Sequence, residues 1–186
     1  MQSRKASEED KNIAIKYKEA KKALIESVCD IILCSVDKYE CVDGQFGLWH
    51  KAKCEEIMGT MNTAMFQDDS LILKSNSFTY GLAQKWVNMT LKYLWLLDRL
   101  PEGLTAKSLH VPIDSFILKK LQEENVDEIR RDGDTYKYKG KSWSQLDDYD
   151  VYLDIQTKIG QIAGKTFPIE WEGPAWMDVA KTRSSK

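Results

Sequence analysis

Apolar residues recur along most of this chain at three- and four-residue steps, the spacing of one face of an α-helix. The first such stripe is Ile13, Tyr17, Ala20, Leu24, Val28, Ile31 and Ile32. It predicts a long helix starting near Ser7, where Ser7 can cap and Glu8, Glu9 and Asp10 suit the positive dipole end. Asp43-Gly44-Gln45-Phe46-Gly47 reads as a turn. A second helix is predicted over Leu48 to Phe66, with Trp49, Ala52, Ile57, Met61 and Met65 inward and Gly59 a weak spot. A third runs from Thr79 or Gly81 to Leu97. Leu82, Trp86, Met89, Tyr93, Leu96 and Leu97 form its stripe, widened by Val87, Leu91 and Leu94, so it is expected at the centre of the core.

Asp98 to Ser108, with Pro101 and Gly103, is a predicted loop. Asp114 or Ser115 then opens a helix through Phe116, Ile117, Leu118 and Leu121. Asp127 to Asp134 is a charged loop. Tyr136 and Tyr138 alternate with Lys137 and Lys139, the two-residue period of a short β-ribbon. Another helix covers Asp148 to Ala163. The tail from Phe167 to Trp176 holds Pro168 and Pro174 among aromatics, and is expected to pack across the core surface and end in a short helix. Residues 1–6 and 182–186 should fray.

Length and composition fit this picture. One domain spanning residues 1–186 is long enough to bury a core, and 42% hydrophobic with 30% charged residues is an ordinary globular balance. No apolar run reaches membrane-spanning length, and the N-terminus is too polar for a secretory signal, so the expected setting is cytoplasmic, with no membrane partner. A net charge of −2 is unlike the strongly basic balance of many nucleic-acid binders, although a local basic stripe suffices for phosphate contact. Cys29, Cys34, Cys41 and Cys54 form no Cys-x-x-Cys pair and read as reduced thiols on helix faces.

The chemistry worth pursuing lies between the third helix and the one that follows. Gly81-Leu82-Ala83-Gln84-Lys85-Trp86-Val87-Asn88 puts a lysine in the first turn or two of a helix, and Val111-Pro112-Ile113-Asp114 brings a carboxylate that could fold back onto it. An amine can attack an electrophilic carbon when an acceptor takes its proton, and a carboxylate can stabilise the positive charge that develops. The order of these residues resembles the helix-hairpin-helix DNA glycosylase superfamily, the group containing endonuclease III and the 8-oxoguanine glycosylases, over Tyr80 to Leu121. There a glycine-rich hairpin enters a Lys-x-x-Asn helix and then a segment ending in aspartate.

The resemblance implies a base-excision glycosylase and abasic-site lyase with Lys85 as nucleophile and Asp114 as the stabilising carboxylate. It implies DNA contacts from Gly81, Ala83, Gln84, Asn88 and His110, a flipped base in a pocket lined by aromatics such as Trp86 or by residues of the tail, and no cofactor. Ala83 stands where the family's second hairpin glycine is expected, and the connection from Lys85 to Asp114 is longer than the family usually shows. No cysteine follows Cys54, so the iron–sulfur cluster of some relatives has no ligands here. Read without the resemblance, Lys85 is a solvated lysine at a helix start and Asp114 a helix N-cap.

Two other groupings bear on chemistry. His50 and Cys54 share a helix face, which reads as a surface histidine beside a core thiol rather than a metal site. Asp147, Asp148, Asp150 and Asp154 could hold a divalent metal for a nuclease, but also suit the start of a helix. The expectation is therefore a mainly α-helical, compact multi-helix domain with a helix-hairpin-helix-like segment and one short β-ribbon. Its leading function is lysine-dependent base excision on DNA. The alternatives are a non-catalytic helical interaction module, suited by six tryptophans and an acidic balance, and a metal-dependent nuclease.

Overall fold

The computed structural model describes residues 45–67, 78–126, 128–131, 134–137 and 142–184, with Lys22, Ile25, Glu26, Asp30, Ile32 and Leu33 before them. The fold is mainly α. In chain order it contains α1 (Phe46–Gln67), α2 (Tyr80–Leu96), α3 (Ser115–Glu123), β1 (Glu128–Arg131), β2 (Asp134–Lys137), a 3-10 turn (Trp143–Gln145), α4 (Tyr149–Ala163) and α5 (Pro168–Ser184). β1 and β2 pair antiparallel, with Ile129 opposite Tyr136. The ribbon is thus present, and its first strand occupies what the charge run had suggested was a loop. The six positions described before Gln45 are helical, and only Ile32 among them reaches the core; Phe46 and Gly47 of the predicted turn belong to α1 instead, and the rest of the first predicted helix, residues 43–44 and Tyr138 lie outside the described residues.

Helix starts follow from capping chemistry. The first amides of a helix have no partner within it. Thr79 Oγ1 accepts from Leu82 N at the start of α2, Asp114 accepts from Phe116 N and Ile117 N at α3, and Asp148 accepts from Asp150 N and Val151 N at α4. α4 stops at Gly164, whose φ of 64° lies in the left-handed region where a Cβ is costly.

The core has two parts. One joins Ile32, Cys54 and Ile57 with Val87, Leu91 and Leu109, so α1 packs on α2. The other joins Val111, Ile113 and Ile117 with Tyr152, Ile155 and Ala175, so α3, α4 and α5 close around the segment before α3. Tyr80 packs against both. A fully buried Ile such as Ile57 or Ile117 contributes about 1.5–3 kcal/mol by leaving water.

Three predicted faces are corrected. Ala52 in α1 is exposed, and Cys54 takes an inward position instead. In α2 the deepest residues are Ala83, Gln84, Val87, Asn88 and Leu91, whereas Tyr93, Leu96 and Leu97 are exposed. The buried face includes two amides, so a purely apolar stripe pointed to the wrong side. The tail is one 17-residue helix. Pro168 occupies its first position, where no amide is needed. Ile169, Glu172, Ala175 and Val179 then recur on its buried face, and Pro174 is tolerated on the exposed one.

Candidate functional site

Lys85 and Asp114 do meet. Lys85 Nζ lies 2.8 Å from Asp114 Oδ2, both side chains largely buried at 23% and 14% exposure. α2 presents Lys85 because the residues flanking it in the helical period, Ala83, Gln84 and Asn88, face the interior. Asp114 is held by its capping role: Oδ1 accepts from Phe116 N at 2.9 Å and Ile117 N at 3.0 Å. Its other oxygen also accepts from Trp176 Nε1 at 3.2 Å. The carboxylate is therefore an N-cap and an ion-pair partner at once, and it ties α2, α3 and α5 together.

The pair borders an open cleft of about 370 Å³, within the range of small-molecule sites. Met89 and Lys92 continue the α2 wall, and Glu172, Gly173, Trp176 and Met177 form the α5 wall. A second ion pair closes the far end, Lys92 with Glu172, whose carboxylate is buried. Trp176 stacks on Phe116 with ring centres 4.5 Å apart, which fixes the indole at the cleft wall. The cleft thus holds two cations and two anions beside sulfur and indole surfaces. Glu172, Lys92 and Met177 carried no motif that marked them; only the helical period of the tail could have placed Glu172 and Met177 beside Lys92 of α2.

The residues expected to touch DNA go elsewhere. Gly81, Ala83, Gln84 and Asn88 are buried. The hairpin grip on phosphate needs free amides at the start of α2, and these are spent. Gly81 N donates to Leu146 O at 2.7 Å, Leu82 N to Thr79 Oγ1, and Ala83 N to Thr79 O. Gly81 instead allows the 3-10 turn to sit on the helix, since a Cβ there would fall 1.9 Å from Trp143 O. Trp86 packs edge-on against Phe78 in the α1–α2 core and is not among the cleft's walls.

Gln84, Asn88 and His110 belong to a buried polar network. Among the described residues no strand pairs with segment 111–113, so its backbone needs side-chain partners. Gln84 supplies both: Nε2 donates to Ile113 O and Oε1 accepts from Ile113 N. Gln156 does the same for Val111. Asn88 donates to Gln84, Val111 O and the Tyr152 hydroxyl. His50 is fully buried, not a surface residue, with its ring stacked on Tyr152 and bonded to Asn88 and Tyr149. Burial and the nearby His110 hold His50 well below its ordinary pKa, and burial lowers His110 to about 4. Burial and Glu55 push the Cys54 thiol up, away from reactive thiolate.

Within the acidic cluster Asp148 caps α4 and Asp150 stands in its first turn, while Asp154 lies in mid-helix. Among the described residues no three histidine, cysteine or carboxylate side chains gather as a metal site, and no helix is long and apolar enough to cross a membrane. No protein-family model matches the chain, and neither a curated protein nor a solved structure matches it.

Proposed function

We propose that the Lys85–Asp114 cleft is an amine site for carbonyl chemistry, acting on the sugar aldehyde left when a nucleotide has lost its base. One observation carries the reading: an amine and a carboxylate from separate helices stand 2.8 Å apart on an open cleft. In the first step the Lys85 ammonium passes a proton to Asp114. The freed nitrogen attacks the carbonyl carbon, Asp114 returns the proton to the hydroxyl so formed, which leaves as water, and the resulting iminium permits β-elimination of the neighbouring phosphate. Asp114 faces the positive charge as it develops. Removal of the base itself is the finer form of the reading, drawn from the glycosylase resemblance. The buried set Gly81, Ala83, Gln84, Asn88 has no part in it.

Borohydride reduction in the presence of abasic-site DNA tests this. The wild-type chain should give a covalent adduct, Lys85→Gln should lose it, and Lys158→Gln, on an exposed face of α4, should keep it. Absence of a Lys85-dependent adduct overturns the reading.

A second reading rests on the saturation of Asp114. Its two oxygens accept from two backbone amides, an indole and an ammonium, as a purely structural clamp would. The chain would then be a non-catalytic helical interaction module. DNA affinity measured against salt separates the two, because phosphate contacts weaken steeply as salt rises; a module that binds only protein has no such affinity to lose.

A further inference from the structure

The geometry around His50 fixes where its proton sits, and leaves one hydroxyl with two partners. Gln84 Nε2 donates to the carbonyls of Gly81 and Ile113. Its oxygen is therefore the acceptor that faces Asn88 Nδ2. That orients Asn88, whose Oδ1 lies 2.9 Å from His50 Nε2. An amide oxygen only accepts, so Nε2 carries a hydrogen. In the neutral ring Nδ1 is then bare and accepts from the Tyr149 hydroxyl at 2.9 Å. The same hydroxyl lies 2.8 Å from Gly47 O, which also only accepts. One proton cannot serve both.

We propose that His50 is a proton switch: a proton taken up at Nδ1 makes it donate to the Tyr149 oxygen and turns the Tyr149 hydroxyl onto Gly47 O. Every group in this chain then has a partner in the charged state, and the first turn of α1 gains a hydrogen bond to α4 that the neutral protein lacks. The ring can charge without opening the core, because no donor is left facing a donor. The Tyr152 hydroxyl belongs to the same network. It accepts from Asn88 Nδ2, lies 3.3 Å from the protonated His50 Nε2, and stands 2.8 Å from His110 Nδ1.

The titratable groups facing His50 come from each neighbouring element. Cys54 lies 3.8 Å from Nδ1 on the same helix, His110 sits with its ring centre 4.9 Å away, and Tyr149 and Tyr152 press from α4. Lys51 stands 5.7 Å over the Tyr149 ring, and Glu55 follows Cys54 on α1. Burial and His110 both resist the charge, so the switch operates on the acid side of an ordinary histidine.

Imidazole nitrogen-15 spectra, titrated downward from pH 7.5 beside amide spectra that report the fold, test this. At neutral pH the His50 ring should show hydrogen on Nε2 and a bare Nδ1. On acidification His50 should gain its Nδ1 proton while the amide spectrum remains native. Tyr149→Phe should lower the His50 midpoint by about one pH unit, because a bond from a charged donor is worth more than the neutral bond it replaces. Hydrogen on Nδ1 at neutral pH, uptake only on global unfolding, or an unmoved midpoint in the variant each overturns the proposal. Should Tyr149→Phe fail to fold, the wild-type titration decides alone.

Discussion

At the scale of single residues, Gly81 and Asp114 show how local chemistry sets what a site can be. Gly81 lies where the 3-10 turn crosses the start of α2, and an added methyl would meet the Trp143 backbone at 1.9 Å and 3.0 Å. Backbone cannot swing aside as a side-chain end can. Gly81→Ala should therefore destabilise the protein by about 1–3 kcal/mol or more, as overpacking does, read as a lower urea midpoint at unchanged slope. An unchanged midpoint would place the turn elsewhere. Asp114 separates differently. Asp114→Asn keeps an acceptor for the α3 amides, whereas Asp114→Ala loses the cap as well as the ion pair. The alanine variant should be the less stable by about 0.5–2 kcal/mol. Chemical unfolding of the two side by side checks this, and equal stabilities would mean the cap contributes nothing.

At the scale of elements, α5 is where sequence and structure parted. The aromatic, proline-containing tail was expected to be helical only at its end, and a proline inside a helix does remove the bond to the carbonyl four residues back and crowd it. The periodic set Ile169, Glu172, Ala175, Val179 outweighs this cost by burying one full face. The carbonyl freed is that of Glu170, near the helix start. Pro174→Ala restores the amide on an exposed face, and should raise the melting temperature by a few degrees; a fall would show that the proline is favoured there. The same tension explains what was legible. Capping residues Asp114 and Asp148 marked α3 and α4 to within a residue, because a cap is a local signal. The meeting of Lys85 with Asp114 was legible as an order of residues. The opposite wall was legible only as the tail in general, not as Glu172 and Trp176, since nothing local ties those residues of α5 to α2. Nor was the inward turn of Gln84 and Asn88 legible. Their burial is caused by segment 111–113, which needs hydrogen-bond partners that only the folded chain supplies.

At the scale of the whole molecule, the polar network sets how stability varies with acidity. His50 and His110 are both held below the ordinary histidine value of 6.5, His110 at about 4, chiefly by burial. The unfolded chain takes up these protons near 6.5 while the folded chain resists, so the unfolded state binds more protons as the pH falls. Stability contributed by the neutral rings is present in full above pH 6.5 and is lost as the pH drops toward 4. At the alkaline end the sign reverses through the tyrosines. Burial raises Tyr149 and Tyr152 above the ordinary value of 10, so the unfolded chain releases those protons first and stability falls as the pH climbs past 10. The buried Cys54 thiol, also pushed up, adds a loss that starts where a free thiol ionises, near 9, so melting temperature should form a plateau between about 6.5 and 9. His110→Phe should flatten the acid slope, because one of the two depressed imidazoles is gone. A wild-type melting temperature that stays level down to pH 4 would mean the two rings charge as freely inside the protein as in water, and the buried network could not be as drawn.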